Sequence, residues 1–290
     1  MVKDDSLFRY AVEQLDAMRL GSLRGCKICG GEGKPVDILD LNKSCSSGRF
    51  PTKPSFVPIV YWQCSRCFFI FTDYFDKFTA EEWRTYIYNE DYMSIDPDFQ
   101  IERPLVNARM LRSFLFNKRD DVIGLDYGAG NGRTAFLMRE RGWIYDSFDP
   151  YGYTDISPDR INRYNFCSAI EVFEHLTDPI AALSAILEKC DPNKLIIMIS
   201  TAASDGAISS QTGLSWWYAA PRNGHVSLYS SQSFQVLAAR AGLSCVFVKS
   251  GPFFLTRGYS EREVRWLIIR GKVLRRWREV TRRLLSHARM

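Results

Sequence analysis

Histidine is scarce in this sequence: His175, His225 and His287 are the only three in 290 residues. Imidazole chemistry therefore has few places to reside. No run reaches the roughly 18 apolar residues that a membrane-spanning helix needs. The first residues, Met1-Val-Lys-Asp-Asp, are acidic, and no apolar core of signal-peptide type follows them. A cytoplasmic protein is therefore expected. The chain has no internal repeat and no low-complexity tract. Apolar residues make up 46% and charged residues 24%, as in ordinary globular chains. The length allows one large domain, or one domain with a smaller module. Eight cysteines in a reducing compartment do not suggest a disulfide framework, so their spacing matters more than their number.

The net charge of +5 is unevenly placed. Residues 257–290 carry eleven Lys+Arg against three acids, which leaves the rest of the chain slightly acidic. The basic character belongs to one segment and says nothing about the main body. From about 260 to 287 that segment has apolar residues at three- and four-residue intervals (Val264, Leu267, Ile268, Leu274, Trp277, Val280 and Leu284) with arginines on the other face. One long helix is expected. Its apolar face could pack on the body or pair two subunits, which would bury Trp266 and Trp277. The helix could instead make peripheral contact with an anionic membrane at its inner face, or with a phosphate-rich polymer.

Four regions follow from the texture of the chain. Residues 1–78 read as a helix (4–20) and a small cysteine-containing domain with strand-like pieces near 36–41 and 59–62. Residues 79–118 read as a mostly helical linker or lid broken near Pro97. In residues 119–256, apolar strand-like runs alternate with helical stretches (122–126, 133–141, 144–149, 166–170, 178–189, 194–200, 230–241, 244–249), the pattern of βαβ units and a mostly parallel sheet. Residues 257–290 are the basic tail.

Cys26-x-x-Cys29 and Cys64-x-x-Cys67 lie 34 residues apart. Two such pairs suit a tetrahedral four-cysteine zinc site, because each tight turn presents two thiolates. A redox role is the weaker reading, since neither pair opens a helix of a thioredoxin-like unit. Cys45, Cys167, Cys190 and Cys245 read as buried or incidental thiols.

At 122–142 a hydrophobic strand stops at Asp126. Gly128, Gly130 and Gly132 follow at alternate positions, with Ala129 between the first two, and then a helical stretch begins. A strand, a Gly-x-Gly-x-Gly turn and a helix expose backbone N–H groups where open α/β sheets bind ligands. The third glycine comes one residue too early for a dinucleotide fingerprint. The next strand ends at Asp149-Pro150, where an acid can accept hydrogen bonds from a ribose diol. The stretch resembles motif I of class I S-adenosylmethionine-dependent methyltransferases. The 164–179 stretch, with Glu171, Val172, Glu174, His175, Asp178 and Pro179, is similar to that family's fourth strand and following loop, although Asn165 stands where an acid is common. A fifth strand, "NKLIIMIST", leads to a loop with Trp216, Trp217, Tyr218, Gly224 and His225, again similar to the family's pattern. The resemblance implies a Rossmann-like seven-stranded sheet. It also implies S-adenosylmethionine held by Asp126, Gly128, Ala129, Gly130, Gly132, Asp149, Pro150 and Glu171.

Methyl transfer from a sulfonium is an in-line displacement that must align the acceptor and, where needed, take its proton. His225, Glu171 and His175 are the candidates; the plainer alternatives are a loop-fixing hydrogen bond for His225 and shaping the pocket floor for His175. Trp216, Trp217 and Tyr218 could stack on a planar or sugar acceptor, or simply fill the core. A zinc module ahead of such a domain resembles the deoxysugar C-methyltransferases, which act on nucleotide-linked keto-sugars. That resemblance makes Tyr86, Tyr88 and Tyr92 candidate active-site tyrosines. Here Gly224 replaces a glutamate of that family's loop, and a basic helix stands where the family carries a further domain. The expected function is methyl transfer to O or C of a small molecule, most plausibly a sugar or glycan precursor linked to a nucleotide or lipid. The alternatives are a zinc-containing RNA methyltransferase and a non-catalytic donor-binding module. "EVFEHL" stands where an RNA-base enzyme would carry an Asn/Asp-Pro-Pro-aromatic motif, so nucleic acid is the less expected partner. Oligomeric state is not legible.

Overall fold

The runs Ile123–Tyr127, Phe166–Ile170 and Leu195–Ser200 are buried along nearly their whole length. Such runs suit parallel strands with both faces covered, and they form the middle of the main sheet. In the computed structural model, which describes residues 5–45, 53–116, 118–208, 213–247 and 251–270, the strands fall in chain order. They are β1 (Arg24–Gly25), β2 (Glu32–Asp40), β3 (Pro58–Cys64), β4 (Ile70–Phe71), β5 (Ile123–Tyr127), β6 (Ile144–Phe148), β7 (Phe166–Ile170), β8 (Leu195–Ser200), β9 (Ser227–Leu228), β10 (Ser244–Phe247) and β11 (Phe253–Arg257). The main sheet has the order β6-β5-β7-β8-β11-β10. β5, β6, β7 and β8 are parallel, and β11 runs antiparallel between β8 and β10. The carboxyl ends of β5, β7 and β8 therefore open on one edge.

The main sheet has six strands among the described residues, against the seven expected. Residues 150–164 contain two prolines, a glycine and no sustained apolar run, and they form a short 3-10 turn at Pro158–Arg160 rather than a third strand. Asp146 anchors this stretch: its carboxylate accepts from Arg160 Nη1 at 2.5 Å and from Tyr164 Oη at 2.7 Å. The helices after the strands, Arg133–Arg139, Pro179–Leu187 and Ser231–Arg240, lie within the expected stretches and are slightly shorter.

The small sheet has the order β1-β2-β3-β4-β9 and is antiparallel throughout. Its last strand comes from beyond residue 200. β9 pairs with β4 through Ile70↔Leu228 and Phe71↔Ser227. The boundary expected at residue 78 is thus crossed, and the cysteine-containing region is not a separate body. One hydrophobic core runs continuously from Ile28, Trp62 and Phe69 to Leu125, Cys167 and Phe234. The N-terminal helix, Asp5–Arg19, is tied to the small sheet by Gln14, which is only 3% exposed. Its side chain accepts from Val60 N and donates to Thr72 Oγ1, each at 3.1 Å.

The expected lid is built from short pieces. A capping box between Thr79 and Glu82 starts Ala80–Glu82, a π-helical turn follows at Trp83–Ile87, and a single turn at Tyr92–Ile95 precedes the longer helix Glu102–Phe114. In the tail, residues 261–270 are helical, started by a second capping box in which Ser260 N donates to Glu263 Oε2 and Glu263 N to Ser260 Oγ. Val264 and Ile268 pack into the third core cluster. The apolar face therefore docks on the body over this stretch. Trp266 departs from the expectation of burial: it is 57% exposed, with the Arg270 guanidinium 5.0 Å above its ring. The remainder of the helix expected to 287, with Trp277, lies outside the described residues.

Asn165, where an acid was the more familiar residue, fastens the start of β5. Its Oδ1 accepts from Ile123 N at 3.0 Å, and its Nδ2 donates to Asp121 O at 2.8 Å. An aspartate could keep the first bond but would set a negative oxygen against the Asp121 carbonyl. Asn165→Asp is therefore expected to lower stability by about 1–2 kcal/mol, the scale of a lost hydrogen bond with an unpaired acceptor. Urea unfolding checks this, and an unchanged midpoint would remove Asn165 from this role.

Candidate active site

β5 ends at Tyr127, and the chain turns through Gly128, Gly130 and Gly132 with φ of 72°, 56° and 73°. Only glycine enters this left-handed region freely. Space demands glycine at two of the three: a Cβ on Gly128 would lie 2.4 Å from Val172 Cγ2, and one on Gly132 would lie 2.4 Å from Tyr153 Cδ1. The face of Gly130 is the open one, with Phe99 the nearest group at 3.6 Å. The loop thus presents one open Cα face, that of Gly130, to a cleft. Asp126, Gly128, Ala129, Gly130 and Glu171 line that cleft, together with Phe99, Arg103, Asn107 and Thr134. Asp149 braces the loop, its Oδ2 accepting from Gly130 N and its Oδ1 from Tyr151 N, both at 2.8 Å. Gly132, Asp149 and Pro150 are outside the cleft lining.

Asp126 is 6% exposed, and its Oδ1 accepts from Ser168 Oγ at 2.6 Å, which in turn accepts from Tyr145 Oη at 3.0 Å. Burial pushes this carboxyl up to about 7, and the Ser168 bond only partly opposes the shift. Arg103, on the helix Glu102–Phe114, is held by both oxygens of Asp96 at 2.7 and 2.6 Å. No motif marked Arg103 or Phe99 in the sequence. The turn holding Phe99 and the helix holding Arg103 come before the recognisable loop, and only the fold brings them to the cleft.

The second half of the site sits just past β7 and β8. Glu171 carries the strained conformation of the site, with φ of 55°. It lines the cleft and also accepts from Tyr218 Oη at 3.2 Å. The Tyr218 hydroxyl is a hub: it also donates to Glu174 Oε1 and lies 3.2 Å from Thr201 Oγ1. Burial, and then the neighbouring Glu174 charge, raise the Glu171 carboxyl to about 8, and burial raises Glu174 as well. His175 and His225 face each other with ring centroids 5.0 Å apart. Nδ1 of His175 is 3.1 Å from Gly224 O, and Nδ1 of His225 is 2.7 Å from Tyr218 O. A carbonyl can only accept, so each Nδ1 carries the proton and each Nε2 keeps its lone pair. Burial lowers His175 to about 4 and His225 far below its ordinary value, so both rings are neutral.

The three sequence-predicted acceptor-side residues, His225, Glu171 and His175, are therefore brought together beside the cleft. Tyr88 Oη reaches His175 Nδ1 at 3.2 Å, and Tyr92 packs edge-on against Tyr88. Tyr86 instead packs into the second core cluster near Phe78. Gly224 now has a physical reason: its φ is 83°, and a Cβ there would sit 3.0 Å from Tyr88 Oη and 3.1 Å from His175 Nδ1. Trp216 packs with the second core cluster, while Trp217 is 50% exposed beside Tyr218.

The four knuckle cysteines converge, with all four sulfurs within 4.8 Å of one another. Cys26 and Cys67 sulfurs are 3.6 Å apart, and those of Cys29 and Cys64 are 3.4 Å apart. A tetrahedral zinc with bonds of about 2.3 Å separates its sulfurs by about 3.8 Å, so the set fits. The two knuckles are near copies. Gly30 N donates to Cys26 O and Phe68 N to Cys64 O; Cys26 N donates to Gly31 O and Cys64 N to Phe69 O. Amides of Ile28, Gly31 and Arg66 each point at a cysteine sulfur at 3.4 Å, which favours thiolates.

A family model described as a methyltransferase domain matches residues 99–248. Among solved structures, the chain is similar to the plantazolicin methyltransferase BpumL in complex with a desmethylplantazolicin analogue and S-adenosylhomocysteine. Identity is 14%, over 57% of this chain and 89% of that one, with a TM-score of 0.38. It is also similar to mitomycin 7-O-methyltransferase MmcR (11% identity, 57% and 56% covered, TM-score 0.41). A third similar structure is human N-acetylserotonin methyltransferase in complex with S-adenosylmethionine (15% identity, 53% and 52% covered, TM-score 0.38). No curated protein matches.

Proposed function

The chain belongs to the methyltransferase-domain family and is an S-adenosylmethionine-dependent methyltransferase, and from that premise we propose that it methylates a sugar or glycan precursor at oxygen or carbon. One observation carries the reading. Glu171 belongs both to the cleft under the glycine loop and to the cluster of Glu174, His175, Tyr218 and His225. A donor bound along 128–130 would thus end beside a set of polar groups able to hold an acceptor. The sulfonium methyl and the acceptor atom need that adjacency for in-line transfer.

In this reading Gly130 offers its open Cα face to the donor while its amide stays on Asp149, Asp126 faces the donor's ammonium, and Asp149 takes the ribose diol with the lone pairs its two backbone donors leave free. Glu171 stands at the boundary, where it can accept a proton or fix the acceptor's orientation. The exposed ring of Trp217 beside Tyr218 offers a platform for the face of a sugar. The cysteine group holds a structural zinc. Its role is mechanical: β3 and β4 leave the second knuckle on either side, and β4 carries the strand that follows His225.

The acceptor class is tested by incubating the protein with methyl-labelled donor and separate extracts of sugar nucleotides, lipids and RNA. Label is expected in the sugar-nucleotide or glycolipid fraction, and label in RNA alone would overturn the choice. On the donor side, Asp149→Ala should weaken binding of S-adenosylhomocysteine by about 1–3 kcal/mol, since it removes a charged acceptor from hydroxyl donors. Calorimetry giving an unchanged affinity would refute the assignment. Donor affinity should also depend on pH. The Asp126 carboxyl, raised to about 7 by burial, is protonated below that value and ionised above it. An ammonium prefers the ionised form, so affinity should climb from about pH 6 to about pH 8 and then level off. The Asp126→Asn variant should bind weakly with no such slope; a slope that persists in this variant would place the titration elsewhere.

A further inference from the structure

We propose that Glu174, His175 and His225 form a second metal site, distinct from the four cysteines, for a divalent first-row transition-metal ion. One donor atom from each of the three lies within 4.8 Å of the others, close enough to share a single ion. Two independent features separate this group from a chance meeting of polar residues. The first is the orientation of the rings. Each imidazole gives its Nδ1 proton to a backbone carbonyl, Gly224 O for His175 and Tyr218 O for His225. Histidines that ligate metals are commonly held this way, with the outer nitrogen hydrogen-bonded and the other lone pair left for the ion. No bond among the described residues engages either Nε2.

The second feature is an unsatisfied oxygen. Glu174 is fully buried. Its Oε1 receives the Tyr218 hydroxyl, while its Oε2 has no partner among the described residues. A buried carboxylate oxygen without a donor is costly, and a cation between the two rings would supply what is missing. The carboxyl of Glu171 shares the Tyr218 hydroxyl with Glu174, so a fourth donor, a second oxygen, stands alongside. Two nitrogens with one or two carboxylate oxygens suit Mn2+, Fe2+, Co2+ or Zn2+ better than a calcium-type all-oxygen cage.

The position of the group gives it a purpose, and this part rests on the methyl-transfer reading. Glu171 is the wall between the group and the donor cleft. An ion there has its remaining positions toward the acceptor, and the ligand it would take is an acceptor oxygen. The histidines then hold the ion instead of taking a proton, and the acceptor class narrows to molecules with a hydroxyl or carboxylate beside the methylated atom.

Manganese separates the two metal groups, because a hard ion does not displace zinc from four thiolates. The full chain as purified is titrated with Mn2+, bound and free ion are read by electron paramagnetic resonance, and total metal is read by elemental analysis. The wild-type chain should carry one ion beyond that of the cysteine group. His225→Ala and the near-isosteric Glu174→Gln should lose that ion, or weaken it by about tenfold or more, while keeping the cysteine-bound ion and the wild-type melting profile. A wild-type chain with no ion beyond the cysteine group, or variants that match it, would overturn the proposal. Calorimetry with S-adenosylhomocysteine on the same samples keeps the two readings apart. Donor binding without the extra ion sinks only the metal site, whereas the extra ion without donor binding sinks the proposed use of the cleft.

Discussion

The pairing of β4 with β9 is the constraint on which the site depends. It is short, with Ile70↔Leu228 and Phe71↔Ser227 as its register, yet it joins the cysteine-bearing sheet to the loop that carries His225. Two further bonds secure the same seam: Thr72 N donates to Val226 O at 3.1 Å, and Tyr61 Oη donates to His225 O at 2.7 Å in a fully buried setting. The imidazole of His225 is therefore placed from both sides. The main sheet fixes Glu171, Glu174 and His175 past the end of β7, and the small sheet brings His225 to meet them. Neither sheet alone contains the constellation.

Burial then sets the chemistry. Two carboxyls, two imidazoles and the Tyr218 phenol are crowded into a largely buried space, and burial disfavours the charged form of each. The hydroxyl of Tyr218 serves both acids, and backbone carbonyls fix both rings. In the cleft the same logic acts on Asp126, whose carboxyl accepts from Ser168, itself bonded by Tyr145.

Much of this was legible in the sequence, because some elements leave short, local signatures. Asp126, the glycine loop and the Asp149 strand end are contiguous or nearly so, and they fold where expected. The cysteine pairs announced their convergence by spacing alone. Glu171, His175 and His225 were also marked, although 50 residues separate the last from its partners. What stayed hidden depended on tertiary contact. Tyr218 reads in the sequence as one of three aromatics and becomes the hub only when the loop folds over β7 and β8. Arg103 lies in a helix with no distinctive pattern, and Phe99 in the turn before it. The strand borrowed by the small sheet is two residues long, too short to show a period. The missing seventh strand is the converse case: prolines and a polar run opposed it locally, and the family pattern alone had suggested it.

Glu171 adds one more consequence. Its backbone lies in a region that side-chain-bearing residues enter at a cost, and a glycine would occupy the position without strain. The protein is thus less comfortable there than it could be, and the discomfort sets a carboxylate between the cleft and the Tyr218 cluster. A search for more heat-resistant variants would be drawn to this residue, and on the proposed reading each gain made there would come at the expense of methyl transfer.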